Sequence, residues 1–202
     1  MFLVRDEITL TWPAEMTGEF AAQVHQLIAA VVELGGAIGW MSQPPRAETD
    51  GWLAGALAAV TAGDGALCAG WLDRQLVAMG MWRRDEAGYL RHTAELVKIM
   101  AHPRIRGQRL GRRITDALVA DATRAGLETL LLGVRGNNHL AIQLYEEAGF
   151  VEWGRLPDVI EVGAERFDDV RMYRKLGSHQ QLIRRGSRPH GPGHAPRRLP
   201  ER

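Results

Sequence analysis

The chain has 202 residues, 46% of them hydrophobic and 24% charged, the profile of one globular domain large enough to bury a core rather than of a disordered or fibrous chain. No apolar run is long enough to span a bilayer, MFLVRDEITL has acids where a signal peptide needs an apolar stretch, and the lone Cys68 can form no internal disulfide, so a cytoplasmic protein with no membrane partner is expected. The net charge of +1 divides unevenly: residues 178–202 carry six arginines and one acid, which leaves 1–177 at net −4 and argues against a globular nucleic-acid binder, whose folded face should be basic.

In chain order, residues 6–12 (DEITLTW) read as a first strand. Phe20, Val24, Leu27, Ile28 and Val31 recur at helical spacing, and Gly35-Gly36 stops that helix. A loop with Trp40, Met41, Pro44 and Pro45 precedes a second helix over 46–61. ALCAGWL (66–72) and QLVAMGMW (75–82) form a hairpin through Asp73-Arg74. AELVKIMA (94–101) is largely apolar on both faces and so predicts a central strand. Leu110, Ile114, Ala117 and Leu118 mark a helix closed near Gly126, TLLLGV (129–134) a short buried strand, and Asn138 the cap of a helix that Gly149 ends. Strands near 150–162 and 169–176 complete a 1–177 domain, followed by a Pro-, Gly-, His- and Arg-rich tail (178–202) that reads as disordered. The order β, α, α, β, β, β, α, β, α, β, β predicts an α/β (α+β) protein with a mixed sheet.

The segment HPRIRGQRLGRRI (102–114) holds five arginines and two glycines at a strand-to-helix turn. Unpartnered first-turn amides and the helix dipole suit one diphosphate, with arginines closing over it; a duplex would want a longer basic surface. This segment resembles the acyl-CoA-binding signature Q/R-x-x-G-x-G/A of the GNAT superfamily of N-acetyltransferases, which falls on Arg106, Gly107, Gln108, Arg109, Leu110 and Gly111. A second GNAT motif is matched by NHLAIQLYEEAGF, at Asn138, Ala141, Tyr145, Gly149 and Phe150. One position departs: Arg109 stands where the family usually has the signature's first glycine, and its N–H reaches a phosphate if it holds a helical φ. The resemblance implies a GNAT fold, a mixed, mostly antiparallel sheet of six to seven strands with about four helices. It also implies acetyl-CoA as cosubstrate, no metal, and direct attack by an amine in a ternary complex; homodimers are common in the superfamily.

A primary amine, with a pKa near ~10, is almost wholly ammonium at neutral pH, so a base must take its proton. Glu95, on the strand expected to be buried on both faces, is the candidate, and burial is expected to raise its pKa. Lys98, three residues on, should point to the opposite face, which leaves Arg91 or an arginine of a neighbouring strand as possible partners. His92 is the rival base. The resemblance makes Tyr145 the general acid for the sulfur of CoA, although the same residue fits the apolar stripe of its helix. It also assigns cofactor contacts to Ile99, Met100 and Ala101, to Arg106 through Arg112, and to Asn138. Cys68 reads as core.

The acceptor pocket implied by the resemblance lies between GGAIGWMSQPP and GRLPDVIEVGAERFDDVRMY, with Trp40 and Met41 as lining and Asp158, Glu161, Asp168 or Asp169 as attractors of a cation. GGAIGWM with RHTAELVKIMAHP is similar to the branch containing tabtoxin acetyltransferases, whose members often carry an Asp where this chain has Gly133-Val134. The expected activity is acetylation of a small-molecule amine, with resistance to an antibiotic or toxin as one role. A protein or peptide acetyltransferase and a catalytically silent acyl-CoA-binding module are the alternatives.

Overall fold

The computed structural model describes residues 8–36, 38–85, 87–105 and 108–177. The expected tail, the first two residues of the expected strand 6–12, and Arg106 and Gly107 lie outside them. The elements are β1 (Thr9–Thr11), α1 (Gly18–Glu33), α2 (Arg46–Thr61), β2 (Gly65–Leu72), β3 (Gln75–Arg84), β4 (Thr93–Ala101), α3 (Leu110–Arg124), β5 (Thr129–Arg135), α4 (His139–Glu147), β6 (Val151–Val162) and β7 (Glu165–Lys175). This is the order expected from periodicity, with one added 3-10 turn at Gly88–Leu90.

Local chemistry accounts for the element ends. The Thr17 hydroxyl accepts from the Phe20 amide at 3.1 Å and caps α1. Its C-terminus closes through Gly35 and Gly36 amides donated to the Val32 and Val31 carbonyls, with Gly35 at φ +77°, a conformation glycine takes without steric cost. Asn138 caps α4 by accepting from the Ala141 amide at 3.3 Å.

The strands form one seven-stranded sheet in the order β1-β2-β3-β4-β5-β7-β6. Every neighbouring pair is antiparallel except β4–β5, which α3 joins as a parallel crossover. Two apolar clusters cover its faces. On one, α3 and α4 contribute Ile114, Leu118 and Tyr145 against Leu96, Leu130, Leu132 and Met172. On the other, Val24, Leu27, Ile28, Leu53 and Leu57 of α1 and α2 lie against Leu67, Met79, Met81 and Met100. Each fully buried side chain of this size stabilises the fold by about 1.5–3 kcal/mol relative to exposure.

β4 is fourth of seven strands, as its apolar run suggested, yet it is not buried on both faces. Ala94 and Leu96 sink into the α3 side, while Thr93, Glu95 and Val97–Ile99 stay partly open. Helix α2 packs on β2, and α1 on β3 and β4, while Thr93 and Glu95 in the first half of β4 line a cavity whose other wall is α2.

Candidate active site

β4 pairs with β5 only from Thr93–Thr129 to Glu95–Leu131. β4 continues to Ala101 and β5 to Arg135, so beyond Glu95 the strands part. Ile99, Met100 and Ala101 thus have no strand partner on the β5 side among the described residues, and their backbone groups on that side are available to a ligand. Ile99 Cδ1 and Ile114 Cγ2 both lie within 3.0 Å of where a Cβ on Gly80 would stand, so the first turns of α3 run beside the strand that borders this gap. Among the described residues no side chain caps α3, and its first-turn amides have no partner within the helix.

Arg109, the N-cap residue of α3, has φ 48° and ψ 37°. A helical φ, the condition for its N–H to reach a phosphate, is not the one it holds: the arginine takes the left-handed conformation natural to a glycine, at a cost of about 1–2 kcal/mol. Its guanidinium turns to Glu147 at 3.1 Å, while Arg112 grips Asp116 at 2.8 Å; Gln108 is exposed and Leu110 is core. A Cβ on Gly111 would lie 3.0 Å from Leu144 Cδ1, so this glycine also sets how closely α3 meets α4.

Glu95 and Tyr145 line one cavity of about 390 Å³, together with Trp40, Met41, Lys98, Arg135, Asp169 and Arg171. The Glu95 carboxylate is 45% exposed and accepts from Arg171 Nη1 at 3.2 Å, which corrects the expectation of a buried acid. Arg171 belongs to β7, two strands away, and reaches Glu95 across Gly133, where a Cβ would lie 3.3 Å from Arg171 Nη1. Gly133 is thus a passage for this guanidinium. A second carboxylate, Asp169, holds Arg171 Nε at 2.8 Å. The pairing was not legible in sequence because 76 residues separate its partners.

Lys98 also departs from expectation. Met79 pairs with Met100 but Met81 with Val97, so β4 carries an extra residue opposite Gly80, and Lys98 sits there at φ 55°. This bulge shifts the alternation, and Glu95 and Lys98 line the same cavities, this one and a larger one of about 760 Å³. His92 is exposed and lines neither. Of the proposed attractors of a cation, Asp168 and Glu161 are paired with Arg155 and Arg166, and only Asp169 lines the smaller cavity.

Tyr145 packs edge-on against Phe150, and burial pushes its hydroxyl up to about 12, so it holds its proton at neutral pH. Cys68 is core as expected, and burial, then the Asp121 charge, raises its thiol from 9.0 to about 12. Both groups keep their protons longer when folded. Their stabilisation is therefore complete below the unfolded values and lost as pH rises through roughly 9–12. Tyr145→Phe should remove the upper part of that loss in denaturant titrations run between those limits; a variant that weakens as steeply as the parent would rule out Tyr145 as its source.

A sequence model of the Acetyltransferase (GNAT) family matches residues 19–150. The chain belongs to that family. This GNAT chain is 29% identical over 82 residues to the L-amino acid N-acyltransferase MnaT of Escherichia coli (strain K12), covering 41% of this chain and 46% of that protein. It is 33% identical over 102 residues to the spermidine N(1)-acetyltransferase of Vibrio cholerae, covering 50% and 58%. The match thus spans about half the length of these curated relatives. Among solved structures, the phosphinothricin acetyltransferase of Sinorhizobium meliloti in complex with AcCoA superposes with a TM-score of 0.69 at 19% identity, over 84% of this chain and 89% of that one. It shares the GNAT fold seen here.

Proposed function

We propose that this GNAT chain transfers an acetyl group from acetyl-CoA to the primary amine of a small molecule that carries a carboxylate near that amine. When bound, acetyl-CoA supplies an activated thioester. What supports it as cosubstrate is the fit of the chain: the unpaired β5-side backbone of Ile99–Ala101 suits an amide-bearing arm, and the uncapped amides of α3 beside Arg112 suit a pyrophosphate. Asn138 and Gly111 border the same helix pair.

The observation that carries the reading is that Glu95 and Tyr145 share one cavity. Glu95, oriented by Arg171, takes the proton of the incoming ammonium, directly or through water. Tyr145, protonated at neutral pH, gives a proton to the departing sulfur. The cavity's charges speak to the acceptor: Lys98, Arg135 and Arg171 outnumber Glu95 and Asp169. Although residues 1–177 are acidic overall, this local field favours a zwitterionic amino acid over a polycation such as spermidine. The resemblance to tabtoxin acetyltransferases adds amino-acid toxins to that class.

The test is release of free CoA on incubation with acetyl-CoA and a panel of L-amino acids, L-methionine sulfone, spermidine and an N-terminal peptide. Turnover is expected with an amino acid and to exceed that with spermidine. No acceptor-dependent release from any amine would overturn the reading, and preference for spermidine would overturn its carboxylate part.

A further inference from the structure

The loop between α1 and α2 forms one wall of the smaller cavity, and it is held by cations that come from the sheet. From the bulge in β4, Lys98 Nζ donates to the Ile38 carbonyl at 2.5 Å. The same ammonium sits 4.1 Å from the centre of the Trp40 ring and 5.9 Å from that of Trp52. The two indoles meet edge to face, and Trp40 Nε1 donates to Glu48 of α2 at 2.6 Å. Farther along, Arg135 of β5 donates to the Gly35 carbonyl at 3.1 Å.

The loop is shaped around this ammonium. Gly39 has φ +90°, and a Cβ there would stand 2.6 Å from Lys98 Nζ, so a side chain at 39 and the lysine compete for one space. On its own strand, Lys98 pays for a left-handed backbone that glycine would take freely. Burial lowers the pKa of its ammonium; the carbonyl and the indole face both favour the charged form. A residue kept charged, half-buried and backbone-strained at a bulge is doing something that a glycine or methionine there would not.

We infer that Lys98 is a positioning residue: its ammonium latches Ile38 and Trp40 over the cavity beside Glu95 and thereby sets how well the acceptor amine binds. This rests on the acetyltransferase reading for its catalytic consequence, but the latch itself does not. The ammonium donates to the Ile38 carbonyl and lies against the two indoles, while Glu95, Arg135 and Arg171 line other walls of the cavity, so the acceptor meets a wall whose position Lys98 determines.

Three variants of the full chain separate latch from scaffold. Lys98→Gly keeps and relaxes the bulge but removes the cation, Lys98→Met keeps a long apolar chain without charge, and Lys98→Arg restores a cation. Hydrogen exchange of amides in 38–43, measured without any ligand, should speed up about tenfold or more in the Gly and Met variants and stay within about threefold of the parent in the Arg variant. With the best acceptor from the panel above, the Gly and Met variants should raise acceptor KM about tenfold, with kcat and the acetyl-CoA Kd within about threefold. Unchanged exchange in Lys98→Gly and Lys98→Met would overturn the latch, as would an Arg variant as impaired as the Met variant, or a KM that does not move while exchange does. Should no amine turn over at all, the acetyltransferase reading fails and the exchange arm still decides the latch.

Discussion

Glu95→Gln is expected to lower kcat/KM by about 100-fold or more while leaving acetyl-CoA affinity within about twofold, because general-base catalysis contributes ~10²–10⁴. The carboxamide keeps the shape of the carboxylate and an oxygen to accept from Arg171 Nη1, now at 3.2 Å from Glu95, but it cannot take up a proton. Moreover, Glu95 lies where β4 and β5 still pair, short of the gap assigned to the cosubstrate, so its change should not disturb that binding. CoA release and calorimetric titration of acetyl-CoA measure the two quantities separately. Turnover close to that of the parent would remove Glu95 as the base, and loss of acetyl-CoA binding would show that it serves the gap instead.

Gly80→Val should destabilise the fold by about 1–3 kcal/mol, the usual cost of overpacking a filled core, and weaken acetyl-CoA binding about tenfold. Gly80 lies opposite the β4 bulge. A Cβ there would run into Ile99 Cδ1 and stand 2.9 Å from Ile114 Cγ2 and 3.1 Å from Leu118 Cδ1. The end of the Ile99 side chain can rotate away, but Ile114 Cγ2 sits on the branched β-carbon of a helical residue with one favoured rotamer, so relief of that contact moves α3, which borders the gap. Thermal melts and acetyl-CoA titration check the two effects, and Gly80→Ala should show both in smaller degree. A valine variant as stable as the parent and equally good at binding acetyl-CoA would refute this account of the packing.

The elements were legible from the sequence because each rests on local signals. Phe20, Val24, Leu27 and Ile28 at helical spacing define α1, Gly35 ends it, and Asp73-Arg74 turns the β2–β3 hairpin with both residues at positive φ. Two signature segments in order also indicated the GNAT fold. The candidate site was legible only in part. Glu95 and Tyr145 line one cavity, but the two charges of AELVKIMA, Glu95 and Lys98, stand three residues apart, which regular alternation reads as opposite faces, so nothing in the run marks the bulge at Lys98. The bulge that turns both into the same cavities is set by the register between β3 and β4.

The amino-acid sequence by itself determined the order of helices and strands, the turns that end α1 and join β2 to β3, and which segment begins α3, since these depend on neighbours within a few positions, whereas β7 starts at Glu165 and not near 169. Tertiary structure alone decided that Arg171 crosses Gly133 to reach Glu95, that Lys98 turns into the α1–α2 loop, and that Glu95 stands half open. Those facts depend on sheet order and on a register shift between β3 and β4, and register is settled by how distant apolar faces pack together, which periodicity along one strand does not encode.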